Sequence, residues 1–238
     1  MNSNPSLISC ICITGDKPFE LQRALSCFIK QDYPNTELVI SYPKDDSPTI
    51  DILNQLRKNY VTKIIRLERD RADTTSSARN AAIEIANGEF ICMWHDEHWH
   101  HSNRITTQYS VLENGPFRCS FLSKILLYDL KYQMTYESRF KTWPESLLCD
   151  KQIMLEACLT YLEEPNAREI NSYLFSKNVL YQISNASHLY IYIFDRLWKN
   201  RRSHHFKFPN AEGLTDINET IQDIIELDQY LLENKYKD

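Results

Sequence analysis

Glycine is scarce, with four residues in a chain of 238. A phosphate-cradling loop needs several glycines at fixed spacing, and neither GxGxxG nor a P-loop pattern occurs. No stretch approaches the roughly 18 apolar residues of a membrane-spanning helix. The opening MNSNPSLISC lacks the basic start and apolar core of a signal peptide. There is no zinc-type CxxC pair. A net charge of −5 lacks the basic excess that general nucleic-acid binding needs. The seven cysteines (Cys10, Cys12, Cys27, Cys92, Cys119, Cys149 and Cys158) are odd in number, mostly inside apolar runs, and show no pairing spacing. They predict buried thiols in a reducing cytoplasm rather than a disulfide framework.

What is present is an ordinary globular composition, 42% hydrophobic and 25% charged, enough for one sizeable α/β domain or two small ones. Short apolar runs at Leu7–Ile13, Glu37–Tyr42, Val61–Leu67 and Phe90–Trp94 read as strands, the first buried on both faces and the last buried. Between them lie helical patterns: one opened by Pro18, one over Thr49 to about Tyr60, and one over Ser76 to about Ala86. Asn87-Gly88 is read as a left-handed stop for the last of these. The alternation predicts a parallel sheet with helices on its faces, and ligands in such sheets bind at the carboxyl ends of the strands. Thr14-Gly15-Asp16, Tyr42 to Asp46 and His95 to His98 all fall there.

The later pattern is different. Ser102–Glu113 reads as a helix, with His100 and His101 leading into it, and Phe117–Tyr128 and Tyr132–Phe140 as an antiparallel strand pair. Asp150–Tyr161 and Asn166 to about Ser184 read as helices, His188–Phe194 as a strand, and Thr215–Tyr236 as an amphipathic helix. The densest chemistry follows the fourth strand, in His95, Asp96, Glu97, His98, Trp99, His100 and His101, a cluster suited to holding a cation.

Three stretches in order resemble family 2 glycosyltransferases of the GT-A fold. LISCICITGDKPFELQRALSCFIKQDYPNTELVI resembles the opening strand and helix with the QxYPxxELVI lead-in to the second strand. SSARNAAIEIANGEFICMW resembles the ARN…A.GE helix and strand. WHDEHW stands where the family carries an acidic cluster such as WDDDDW. The likeness covers about Leu7 to Arg104 well, extends loosely to about Phe208, and omits the terminal helix.

The resemblance implies one α/β GT-A domain over residues 1–238: a Rossmann-like, mostly parallel sheet flanked by helices, with a smaller antiparallel acceptor-side portion. Residues 1–98 would form the nucleotide-sugar-binding half, 99–208 the acceptor-side half and 209–238 a C-terminal amphipathic helix. It implies a nucleotide-sugar donor, usually UDP-linked, a divalent metal (Mn2+ or Mg2+), inverting transfer to a glycan or lipid-linked hydroxyl, and a place in polysaccharide biosynthesis. A metal and cations would stabilise the charge developing on a diphosphate leaving group, and a carboxylate would take the acceptor proton.

By position, Asp96, Glu97 and His95 are the metal candidates, Glu97 as direct ligand, with His95 and His98 at places where the family has carboxylates. His95 and Asp96 are also candidates to contact the donor. Thr14 and Asp16 would lie near the nucleotide. Asp46 is the candidate to read the base in place of the family's acidic residue, and Tyr42 the candidate to stack on it. Arg79 matches an Arg-Asn pair, with Asn80 as a cap or core bond. For the base, AREINSYLF resembles GEDxxF with the Asp replaced by Ile170. This makes Glu169 the first choice, followed by Glu164 beside Glu163.

The basic run Arg196–Lys207 is read as a lid over the diphosphate, a contact with anionic lipid at the inner face of a membrane, or a solvated face. A homodimer is a further expectation, and nucleic acid is not an expected partner. The competing functions are an inactive nucleotide-sugar binder of the same fold, which HDEH in place of the acidic cluster would explain, and a zinc hydrolase using the histidines. The latter lacks HExxH and a third ligand.

Overall fold

The computed structural model describes residues 5–56, 63–113, 115–160, 167–194 and 212–226. Its first half alternates as the apolar pattern requires: β1 (Ile8–Ile13), α1 (Pro18–Ile29), β2 (Thr36–Pro43), α2 (Ser47–Leu56), β3 (Lys63–Arg69), α3 (Thr75–Ile85) and β4 (Phe90–Met93). Pro18 opens α1, with Glu20 in the first turn. Thr74 caps α3, its side chain accepting the Ser77 N–H at 3.1 Å.

The second half contributes β5 (Trp99–His100), α4 (Arg104–Ser110), β6 (Cys119–Leu122), β7 (Leu126–Asp129) and β8 (Met134–Glu137). A one-turn 3-10 helix (Pro144–Ser146) follows, then β9 (Leu148–Asp150), α5 (Lys151–Thr160), α6 (Ala167–Ser176), β10 (Leu180–Ile183), β11 (Tyr190–Phe194), β12 (Glu212–Gly213) and α7 (Asn218–Ile225).

A seven-stranded sheet has the order β10-β6-β9-β4-β1-β2-β3, with β9 alone running against the rest. Strands from both expected halves therefore share it. The strand side chains alternate between two cores. Cys10, Cys12, Leu38, Ile40 and Trp94 pack under α1 and α2. Ile11, Val39, Ile91 and Met93 pack under α3, α5 and α6. A second sheet, β12-β8-β7-β11-β5, repeats the device: Tyr190, Tyr192 and Phe194 face one core, while Ile191 and Ile193 face Ile221 and Ile225 of α7.

Several expectations are corrected. Phe117–Tyr128 is two strands, because the chain leaves the first sheet after Leu122 and enters the second at Leu126. Trp99–His100 pairs with β11 as a strand, and the next helix starts at Arg104. The helix expected to run to Ser184 ends at Ser176, and Leu180–Ile183 becomes an edge strand paired to β6. Within the described residues the terminal helix runs Asn218–Ile225, after a 3-10 turn at Thr215–Ile217, and the part of the expected helix beyond Glu226 lies outside them. Asn87-Gly88 does not use a left-handed conformation. Gly88 is needed because a Cβ there would lie 2.5 Å from Ser9 Oγ and 2.7 Å from the Leu7 carbonyl oxygen. Cys119 and Cys149 directly oppose each other across β6 and β9, Cα atoms 4.0 Å apart, and form a disulfide. Their 30-residue separation gives no sequence signal, since sheet order alone brings them together.

Candidate active site

Thr14, just past β1, ties three strand ends together. Its N–H donates to the Ser41 carbonyl (3.0 Å), and its carbonyl accepts from Arg69 Nη2 (3.0 Å). Asp16 adopts a left-handed conformation, φ 55°, and its N–H donates to Asp46 Oδ2 at 2.8 Å. The other Asp46 oxygen accepts the Thr49 N–H at 3.2 Å, so this buried carboxylate clasps the β1 loop to the start of α2. At the exposed rim, Arg71 ion-pairs with both Asp16 and Asp45. Tyr42 is 2% exposed within the α1–α2 core, which leaves its ring no open face for stacking on a base.

The residues after β4 diverge. Trp94 fastens the strand end to α1 by donating to the Ala24 carbonyl (3.1 Å) and packing edge-on against Phe28. His95 is exposed. Asp96 is buried, with Oδ1 accepting the Glu97 N–H at 2.9 Å. Burial pushes the Asp96 carboxyl above its ordinary range, with Lys17 and the nearby Thr14 hydroxyl pulling the other way. Neither Asp96 Oδ2 nor Thr14 Oγ1 has hydrogen-bond geometry to a partner among the described residues. Glu97 is half-buried, its carboxylate 2.5 Å from Lys17 Nζ and its carbonyl held by Arg23 Nη2 at 2.6 Å.

The histidines go to separate places. His98 is buried against Tyr192, and its Nδ1 accepts the Ile193 N–H at 3.2 Å. His100 stacks on Trp94 and bonds the His95 carbonyl through Nε2 at 3.0 Å. Arg104 donates to His100 Nδ1 at 2.6 Å, which fixes the neutral Nε2–H tautomer. Burial, then Arg104, hold His100 well below its ordinary pKa. His101 folds against Asn103 and His188. This dispersal gives the zinc reading no support.

A cavity of about 180 Å³ opens beside these strand ends. Ile11, Ile13, Met93, Trp94, Leu147, Met154 and Ile170 supply its apolar lining, and Thr75, Arg79, His95, Glu145 and Asn171 its polar groups. The volume suits a sugar-sized group rather than a whole nucleotide sugar, since larger ligands occupy clefts of about 300 Å³ upward. Glu169 is not among the lining residues, although Ile170 and Asn171 beside it are. Glu163, Glu164 and the basic run Arg196–Lys207 lie outside the described residues.

Thr14, Arg79, His95, Asp96 and Glu97 thus gather around the ends of β1 and β4. Asp16 and Asp46 belong to the adjoining loop clasp. Lys17, Arg23, Arg71 and Glu145 were not singled out from the sequence. Each acts across a long separation, as Arg23 does in reaching both the Glu97 and Ile225 carbonyls. Asp96 Oδ2, the Thr14 hydroxyl and the Glu97 carboxylate are hard oxygen donors of the kind a divalent cation takes, with the Glu97 carboxylate paired to Lys17. No group of three or more His, Cys, Asp or Glu able to hold a metal occurs among the described residues.

The sequence profile of glycosyl transferase family 2 matches residues 9–186, well over half of the chain. No curated protein matches it in sequence. Among solved structures, S. aureus TarS 1–349 is similar at TM-score 0.59 and 14% identity, over 78% of this chain and 60% of that one. TarS 1–349 in complex with UDP-GlcNAc gives 0.57 and 14%, over 79% and 58%. The mannosyltransferase PcManGT of Pyrobaculum calidifontis, in complex with GDP-Man and Mn2+, gives 0.56 and 13%, over 77% and 56%. The chain therefore spans about three-fifths of TarS 1–349. With its mostly parallel sheet flanked by helices and its smaller second sheet, the chain has the GT-A fold and belongs to glycosyl transferase family 2.

Proposed function

We propose that this glycosyltransferase moves a sugar from a nucleotide-sugar donor, a uridine diphosphate sugar, to a hydroxyl of a glycan or lipid-linked acceptor with inversion. The observation that carries the reading is the grouping of Asp96, Glu97, Arg79 and a sugar-sized cavity at the carboxyl ends of β1 and β4. The nucleotide sugars bound to TarS and PcManGT support the donor class. The acceptor side and a role in polysaccharide biosynthesis rest on the family pattern. The buried free thiols Cys10, Cys12, Cys27 and Cys92 fit a cytoplasmic setting, whereas the Cys119–Cys149 disulfide gives that setting no support. No helix among the described residues is long and apolar enough to cross a membrane.

In this reading the strand-end loops bind the donor. Glu97 and Asp96, with His95 beside them, would hold a divalent metal, which when bound neutralises charge on the diphosphate. Arg79 adds positive charge on the cavity wall, and Lys17, paired with Glu97, places a cation among the residues after β4. Arg23 fixes the Glu97 backbone. A carboxylate from the second half takes the acceptor proton.

The test is a panel of UDP-, GDP- and dTDP-sugars with Mn2+, reading melting temperature and release of nucleoside diphosphate. A uridine sugar should stabilise the protein and be turned over. Binding without turnover would indicate a non-catalytic nucleotide-sugar binder. Failure of every donor at millimolar concentration with folded protein would reject the donor assignment.

A further inference from the structure

We infer that Glu145 is the general base that deprotonates the acceptor hydroxyl. The inference rests on the nucleotide-sugar reading and names a group within it. Of the residues lining the cavity, Glu145 is the one carboxylate. It comes from the one-turn helix Pro144–Ser146, on the second half of the chain, whereas His95 and Arg79 reach the same cavity from the β4 end and α3. The candidate base and the cationic groups thus come from different elements, so that one can act on the nucleophile and the other on the leaving group.

The turn that carries Glu145 is held from several sides. Ser146 is fully buried, and its hydroxyl donates to the Trp143 carbonyl (2.8 Å) while accepting the Leu122 N–H (3.0 Å). The Ser146 carbonyl accepts from Gln108 Nε2 at 2.7 Å. The Leu147 carbonyl accepts the Met93 N–H at 2.9 Å, joining the turn to the last residue of β4. Gln108 also accepts from Arg104, which holds His100, which holds the His95 carbonyl. One buried chain of hydrogen bonds therefore sets the backbone beneath His95 and beneath Glu145 together. That is the preorganisation a proton transfer needs.

Glu169 has a different outlook. The inward stripe of α6 is Ile170 and Leu174, 3% and 0% exposed. Its neighbour Asn171 lines the cavity, with Oδ1 buried and accepting no hydrogen bond among the described residues. That oxygen is an acceptor for a sugar O–H, so α6 would orient the substrate while Glu145 takes the proton.

In the step, the acceptor oxygen forms a bond to the anomeric carbon of the donor. The bond from that carbon to the diphosphate oxygen breaks, and its electron pair leaves with the nucleoside diphosphate. The hydroxyl proton passes to the Glu145 carboxylate, which later returns it to water.

The experiment compares full-length wild type, Glu145→Gln and Glu169→Gln by calorimetric UDP titration and by pH-dependent UDP release from the donor that wild type uses. Glu145→Gln should bind UDP within about threefold of wild type, lose at least about 100-fold in kcat and lose the acidic limb of the pH profile. Glu169→Gln should keep kcat within a few-fold. Turnover by Glu145→Gln close to wild type, or the large loss falling on Glu169→Gln instead, overturns the assignment alone. Wild type that binds no nucleoside diphosphate and turns over no donor overturns the nucleotide-sugar reading and the assignment with it. If Glu145→Gln does not bind UDP, Glu145→Asp decides. The carboxylate set back by one methylene should lower kcat about tenfold or more while keeping the acidic limb, and unchanged kcat would overturn the proposal.

Discussion

Lys17 Nζ lies 2.5 Å from Glu97 Oε1, with both side chains about one-quarter to one-third exposed. The carboxylate expected to ligate a metal thus already carries a cation. An incoming divalent ion must share Glu97 with this ammonium or displace it, and like charges so close repel. Lys17→Met should therefore tighten Mn2+ binding at saturating UDP, by about 3- to 10-fold for 1 kcal/mol or so of removed repulsion. Calorimetric Mn2+ titration reads this directly. Weaker UDP binding in the variant, with Mn2+ affinity unchanged, would show that the lysine grips the diphosphate instead.

Asp96 should cost the fold stability at neutral pH. Burial raises its carboxyl above the ordinary 3.8, so the folded chain holds that proton more tightly than the unfolded one. The contribution is fully favourable below about pH 3.8 and is lost as pH rises through the folded value. Asp96→Asn should raise the melting temperature at about pH 7.5 by about 2–4 °C, with the gain shrinking toward pH 4, and should weaken metal-supported nucleotide binding. Calorimetric melts across pH supply the check, and a variant less stable at every pH would contradict the prediction.

His100 has the opposite sign. Its pKa is held well below 6.5, so the unfolded chain takes up a proton that the folded one refuses. Stability from this group is present above about pH 6.5 and lost as pH falls below it, with a slope of up to about 1.4 kcal/mol per pH unit. Urea unfolding of His100→Gln should show a flatter pH dependence between about pH 6.5 and 5 than wild type. An unchanged slope would locate the acid sensitivity elsewhere.

Gly88→Ala tests a constraint remote from the site. The new Cβ would meet Ser9 Oγ at 2.5 Å, the Leu7 carbonyl oxygen at 2.7 Å and the Ser9 nitrogen at 2.8 Å, two of them backbone atoms. Separating the strands there should cost about 1–3 kcal/mol while leaving UDP affinity unchanged in the folded fraction. Denaturant midpoints and UDP titration separate the two effects.

The first half of the fold was legible because buried parallel strands are short apolar runs and the helices between them carry ordinary start signals, as at Pro18 and Thr74. The second half was less so. Leu122 and Leu126 look continuous in sequence, yet the chain changes sheets between them. Leu148–Asp150 is too short to show a period, and Leu180–Ile183 was absorbed into the helical pattern before it. Within the site, Asp96 and Glu97 stood out because carboxylates at a strand end are conspicuous. Glu145 did not, since Trp-Pro-Glu reads as a plain turn until sheet order brings β9 beside β4. The Asp46 clasp shows the converse, a residue picked for ligand chemistry whose two oxygens are both occupied by backbone N–H groups.

Calorimetric titration of UDP, with and without Mn2+, into wild type and Glu97→Ala measures whether a metal at Glu97 supports uridine nucleotide binding. Wild type should show saturable one-to-one binding, strengthened about tenfold or more by Mn2+, with that gain lost in Glu97→Ala while metal-free binding persists. No UDP binding at about millimolar concentration by folded wild type would contradict a uridine nucleotide donor. Equal affinity with and without Mn2+ in both proteins would contradict a metal at Glu97.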